Sequence, residues 1–207
     1  MKKRNHHRKA RRTVRALRRE VARLKASAPC RPAVSPLPSY VLMYESEYEV
    51  VRAETARFPH CETGGMLYGW QWGEIPVIAF ATTPGESAVH RVTSFLLDPQ
   101  QVAEVTVSLA QRGVQDLGSW HSHHSLGLDR PSGIDCGVMK KAFASEPTRQ
   151  KILCGIATIE NGEPRFGMHV FANGKPSYVT VPIRLIAGES PMRLRIEHEF
   201  LREEVRS

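Results

Sequence analysis

No two of the four cysteines, Cys30, Cys61, Cys136 and Cys154, form a C-x-x-C pair. Four thiols scattered over 207 residues argue against a cysteine-rich zinc module and against a disulfide scaffold. Their simplest use is as packing residues in a reduced, cytoplasmic chain. Long apolar runs are missing too: none approaches the ~18 residues that span a bilayer. The charged N-terminus is not followed by an apolar h-region, so the pattern of a secretory signal is absent. A mitochondrial transit peptide shares an Arg-rich, acid-poor composition and is the alternative address. No stretch repeats another. Acids are nearly absent from the first 25 positions, where 12 Lys/Arg face Glu20 alone. The remaining residues hold 17 bases and 20 acids, a net charge of −3. The basic character therefore belongs to a tail, which argues against a uniformly basic nucleic-acid-binding fold.

What is present divides into four parts. Residues 1–28 form a basic, partly helical tail. MKKRNHHRKARR has almost no apolar side chains and is expected to be disordered when free. Val14, Leu17, Val21 and Leu24 then mark one helical stripe, about two heptads and too short to be stable alone. This tail is a candidate contact for nucleic acid, an anionic surface or a docking partner, or else a solvated extension. Pro29, Pro32, Pro36 and Pro38 stiffen a linker over residues 29–39. Residues 40–185 read as the folded domain, and residues 186–207 as a C-terminal charged helix.

Within the domain the spacing predicts a short strand at Tyr40–Tyr44, a helix over Glu45–Arg57 and strands at Gly64–Gly69, Pro76–Thr83 and Ser94–Leu97. Asp98 with Pro99 and Gln101 predicts a helix start, and Gly113 its end. An extended segment over Asp116–His121 precedes a helix over Gly133–Ala144. Strands at Lys151–Ile159 and Arg165–Ala172 are joined by the hairpin signal Asn161-Gly162. Asn173-Gly174 turns into a last strand at Tyr178–Pro182, and Pro191–Arg206 reads as helix. The order is mixed α/β.

The chemistry gathers in WHSHHSLGLDRPSGID, Trp120 to Asp135. His121 and His123 are two apart, so in an extended segment both imidazoles leave the same face. Asp135, at the start of the next helix, is a candidate third ligand. Two imidazoles and a carboxylate with one open position are the pattern of catalytic zinc, and such a set favours zinc over harder divalent cations. A polar loop remains the alternative at this point, since Ser132-Gly-Ile-Asp135 equally fits a capping box. Metal-assisted hydrolysis also needs a base that is not a ligand. Glu62, just before the apolar, glycine-rich GGMLYG, is that candidate, because a carboxylate is costly to bury there without purpose. Ser132 is a candidate donor to a developing oxyanion. His-x-Glu with a later Pro-Cys-x-x-Cys, the pattern of zinc nucleobase deaminases, is not present.

Glu62, then His121-Ser122-His123, then Ser132-Gly-Ile-Asp135 resemble, in order, the motif of the JAMM metalloproteases, the catalytically active MPN domains. Glu-Thr-x-Gly-x-Leu and Trp-His-Ser-His are similar to the family as well, over roughly residues 40–185. The resemblance implies an α/β MPN (JAMM)-type curved mixed sheet flanked by helices, here with a basic N-terminal extension. It implies one Zn2+ held by His121, His123 and Asp135, with Glu62 as general base and Ser132 as oxyanion donor. The chain departs from the pattern in one place: eleven residues rather than the usual ten separate His123 from Asp135. The context looks like the bacterial branch associated with ubiquitin-like conjugation systems. The substrate would then be a ubiquitin-like protein or its conjugate, cleaved after a C-terminal glycine, with conjugation-system proteins as possible partners. Trp70, Trp72 and His124 are candidate substrate contacts, against plain packing or loop roles. The rivals are a JAMM-type hydrolase of small peptides or amino-acid conjugates, a non-catalytic MPN scaffold, and a nucleic-acid-associated protein led by its tail.

Overall fold

The computed structural model describes residues 36–123 and 127–196. The basic tail, most of the proline-rich linker, His124 and the end of the C-terminal helix lie outside the described residues.

The elements in chain order are β1 (Val41–Tyr44), α1 (Glu45–Arg57), β2 (Gly64–Trp72), β3 (Ile75–Ala81), β4 (Val89–Arg91), β5 (Ser94–Leu96), α2 (Pro99–Gln111), β6 (Gln115–Ser122), α3 (Gly133–Ser145), β7 (Lys151–Glu160), β8 (Glu163–Ala172), β9 (Tyr178–Val181) and β10 (Ile183–Ile186). Eight strands form one mixed sheet in the order β10-β1-β3-β2-β6-β7-β8-β9, and β4 pairs with β5 in a separate hairpin. The edge strands β9 and β10 are separated in the chain by Pro182 alone, so the sheet curves until it nearly closes.

Strand alternation explains how such a sheet is filled. Leu67, Ile78 and Leu153 face the inside of the curve, where Val51 of α1 joins Val41, Met43, Trp120, Met168 and Val170. Their neighbours Tyr68 and Ala79 face outward with Phe80 toward Leu109 of α2 and Met192. Cys154 faces outward with Ile152 and Ile156 toward Met139 of α3. Strands buried on both faces read as near-continuous apolar runs, as PVIAFA and ILCGIA do.

Local chemistry sets the boundaries. Asp98 caps α2, its Oδ1 accepting from Gln100 N at 2.9 Å and Gln101 N at 3.3 Å. Asn161 and Gly162 both take positive φ, 53° and 82°, as a tight β7–β8 hairpin requires. Two strands had no counterpart in the sequence reading. β4 precedes the expected β5, and β10 follows the expected last strand and pairs in parallel with β1. Residues 191–196 are helical, and residues 188–193 remain bonded to the domain. Ser190 N donates to Ser46 Oγ at 2.9 Å. Arg193 donates to the carboxylate of Glu47 at 2.8 and 2.7 Å.

Candidate metal centre

The site sits at the C-terminal end of β6, between β2 on one side and β7 on the other. Antiparallel pairing sets Gly64 of β2 opposite His121. The ladder continues past the strand ends: Ser122 N donates to Thr63 O at 2.9 Å, and His123 N to Ala157 O at 2.9 Å. Both histidines are thus mounted on the middle of the sheet. The glycines next to Glu62 are needed for close approach, since a Cβ at Gly65 would run into the Thr82 carbonyl. Trp120 and Ser122 point the other way, Trp120 Nε1 donating to Thr82 O at 3.1 Å. Ser122 Oγ accepts from Thr63 N at 3.0 Å.

His121 Nε2 and His123 Nε2 lie 2.9 Å apart. Asp135 Oδ1 is 3.2 Å from His121 Nε2, and Oδ2 is 3.4 Å from His123 Nε2. One ligand atom from each residue falls within 4.8 Å of the others. Tetrahedral bonds of ~2.0–2.1 Å would set ligand atoms ~3.3 Å apart, close to these nearest approaches; each histidine meets a different Asp135 oxygen, so a single oxygen serving as ligand requires the carboxylate to turn. The donor set itself is the second test. His123 Nδ1 donates to Leu128 O at 3.2 Å. That bond fixes the tautomer and leaves Nε2 with a lone pair aimed at the other two ligands.

Asp135 reaches the cluster from the first turn of α3, where Ser132 is N-cap. Both capping-box bonds form: Asp135 N donates to Ser132 Oγ at 3.3 Å, and Ser132 N to Asp135 Oδ2 at 2.6 Å. The capping box and the ligand geometry, alternatives in the sequence, coexist in one pair of residues. Burial works against the Asp135 charge. Hydrogen bonds from His121 and His123, the charge of His121 and a hydrogen bond from Ser132 outweigh it and hold the carboxyl far below the usual carboxylate range. His123 shows the reciprocal effect: burial opposes protonation, but Asp135 and Glu62 raise its pKa.

Glu62 is 6% exposed. Burial raises its pKa, partly offset by His121 and His123 and reinforced by the like charge of Asp135. The β4–β5 hairpin holds its main chain: Glu62 N donates to Arg91 O at 2.7 Å, and His90 Nδ1 donates to Glu62 O at 3.0 Å. His90 itself stacks on Phe58, ring centroids 3.9 Å apart. Phe95 of the same hairpin flanks His121 at 6.1 Å. Neither hairpin role was legible from sequence, because Val92-Thr93 lacks the glycine or asparagine that marks a tight turn.

The structure brings together Glu62, His121, His123, Ser132 and Asp135. It does not bring Trp70 and Trp72 to them. Those residues lie at the opposite end of β2 from Gly64, roughly 20 Å or more along a strand rising ~3.3 Å per residue. Trp70 packs on the outer cluster with Tyr68 and Phe80, and Trp72 is 72% exposed.

A family described as prokaryotic homologs of the JAB domain, Prok-JAB, matches residues 45–185. The chain belongs to this family. The JAMM/MPN resemblance read from the motif is therefore borne out. The chain is also similar to a protein of Sinorhizobium fredii named "Probable metalloprotease y4qB", 26% identical over 128 residues that cover 58% of this chain and 78% of the relative. Among solved structures it resembles protein DSY2949 from Desulfitobacterium hafniense with a TM-score of 0.57 at 19% identity, over 72% of this chain and 94% of that one. At that identity the likeness concerns the fold, and it agrees with the curved mixed sheet described above. In this Prok-JAB domain the convergent His121, His123 and Asp135 are compatible with a metal site.

Proposed function

We propose that this Prok-JAB protein is a zinc-dependent isopeptidase or peptidase. It hydrolyses the amide bond after the C-terminal glycine of a ubiquitin-like protein, either from a conjugate or from a precursor. The observation that supports it is the pairing of a convergent His-His-Asp set with Glu62, a buried carboxylate whose oxygens receive no hydrogen bond from another described residue. The relative named as a probable metalloprotease points to the same reaction class.

His121, His123 and Asp135 would hold the zinc, with Leu128 O fixing the His123 ring. When bound, the metal supplies Lewis acidity and lowers the pKa of a coordinated water toward ~7. Glu62 takes a proton from the attacking water at a carboxylate oxygen and returns it to the leaving nitrogen. Burial raises its pKa, which makes it a stronger proton acceptor than an exposed carboxylate. Ser132 Oγ accepts from Asp135 N and offers its O–H to the carbonyl oxygen of the scissile bond. The glycine before that bond carries no side chain, which allows close approach to the buried base.

Two further expectations belong to this reading. The protein works in the cytoplasm, and the basic tail contacts nucleic acid or another anionic surface. Among the described residues no helix is long and apolar enough to cross a membrane.

The test is elemental analysis of the purified protein and of a His121→Ala/His123→Ala variant, followed by hydrolysis of a ubiquitin-like precursor against short peptide amides. About one zinc per wild-type chain, absent from the variant, with cleavage of the precursor, is the expected result. Cleavage of short peptides alone would replace the substrate by small conjugates. No metal in either protein after zinc addition would leave a scaffold.

A further inference from the structure

We infer that His169 is a positioning residue for the metal centre, acting through the main chain of the segment that leads into Ser132. His169 lies on β8, is buried and belongs to none of the motif positions. Its two ring nitrogens have different partners. Nε2 lies 3.0 Å from the Asp129 carbonyl oxygen, which can only accept, so Nε2 carries the proton. Nδ1 lies 3.0 Å from Thr180 Oγ1, its cross-strand neighbour on β9, and accepts from that hydroxyl. Burial keeps the ring neutral by lowering its pKa, and Tyr178 packs edge-on against it at 5.1 Å. The imidazole is thus locked in one tautomer and one orientation by the sheet.

The adjacent carbonyl completes the arrangement. Leu128 O accepts from His123 Nδ1, and Asp129 O accepts from His169 Nε2. Two consecutive main-chain oxygens are held by two imidazoles, one at the end of β6 and one on β8. The Leu128 contact fixes the tautomer of a candidate ligand, so whatever fixes Leu128 fixes that ligand too. Asp129 directly follows Leu128, so His169 anchors the segment right beside the ligand contact.

The inference rests on the metal-site reading above. Its test compares zinc dissociation constants, measured by competition with a chromogenic chelator, for the wild type, His169→Phe, His169→Gln and Thr180→Val. Phenylalanine keeps the ring packing and removes both hydrogen bonds. Glutamine places an amide N–H near Nε2 and should restore the bond to Asp129 O. The expected result is roughly tenfold weaker zinc binding in His169→Phe, at the low end of the 10–100-fold typical of partners that orient ligands. His169→Gln should return to within about threefold of wild type, and Thr180→Val should fall between. A purely packing role would lower the melting temperature of the metal-free protein and leave zinc affinity alone. Equal affinity in wild type and His169→Phe would overturn the inference. If His169→Phe fails to fold, Thr180→Val with unchanged affinity would overturn it instead. A wild type that binds no zinc would sink the metal-site reading itself, and this inference with it, so the two failures are distinguishable.

Discussion

Two glutamates fifteen positions apart are both buried, and their surroundings differ in kind. Glu47 is 0% exposed. Its oxygens accept from Ala81 N at 2.7 Å, Ser46 Oγ at 3.0 Å and two nitrogens of Arg193 at 2.7 and 2.8 Å. Glu62 is nearly as buried, yet its neighbours act on it by charge: two imidazoles that favour its ionised form and one carboxylate that opposes it. A buried carboxylate whose lone pairs are filled is part of the framework. One left with open lone pairs beside a set of candidate ligands is available to a water and a proton. Glu47 clamps α1 to β3 and to the helical residues 191–196; Glu62 faces the candidate metal ligands.

The sharpest way to break this contrast is to neutralise each acid in turn. Glu62→Gln keeps the shape and removes the proposed base. Hydrolysis should fall by about 10²–10⁴-fold, the usual span for a positioned general base. Zinc content and melting temperature should stay at or slightly above wild type, because a costly buried charge has gone. Steady-state kinetics with parallel zinc analysis decides it. Loss of folding without a specific loss of turnover would make Glu62 a second Glu47.

Glu47→Ala is the converse experiment. It strands Arg193, whose guanidinium lies over Phe80 at 4.8 Å, and leaves Ala81 N without its acceptor. Breaking a buried pair costs about 3 kcal/mol or more, so the melting temperature should drop by roughly 6–12 °C for a chain of this size. Turnover per folded molecule should be unchanged. A drop below about 2 °C would show that solvent replaces the clamp at little cost.

Ser132 combines both roles in one residue, as helix cap and as proposed oxyanion donor. Glycine is a tolerable cap, costing only a few tenths of a kcal/mol against serine, but it offers no hydroxyl. Ser132→Gly should therefore lower kcat by about 10²–10³-fold, as loss of an oxyanion donor does, with a melting temperature close to wild type. If kcat follows stability instead, the serine is a cap alone.

How much of this was legible in the sequence depends on distance along the chain. Asp98-Pro99, Asn161-Gly162 and the alternation of PVIAFATT are short-range signals, and the elements they predict formed within a few residues of their expected ends. The site set was legible for a related reason. Four of its five residues fall between His121 and Asp135, and Glu62 stands out as a carboxylate facing an apolar, glycine-rich strand. Glu47 was not legible, because its partner Arg193 is 146 positions away and a glutamate near a helix start ordinarily faces solvent. His169 was hidden in the same way: its meaning comes from a main-chain oxygen 40 positions earlier. β10 was missed because a four-residue strand after a proline carries little pattern of its own, and only its parallel pairing with β1 orders it.

The tryptophans of β2 provide the mildest test. Sequence alone made Trp70 and Trp72, flanking Gln71, candidates for a substrate groove, against plain core or rim packing. Strand geometry separates them from Glu62 by most of the length of β2. Trp72 is exposed and at the strand end, so Trp72→Ala removes surface rather than core and should change stability by no more than ~0.5 kcal/mol. KM and kcat for a ubiquitin-like precursor should both match wild type. A rise in KM of more than about threefold at unchanged kcat would mean that the substrate body, rather than its tail, reaches this far end of the sheet. The binding surface would then run the length of β2, with the candidate metal centre at one end of it.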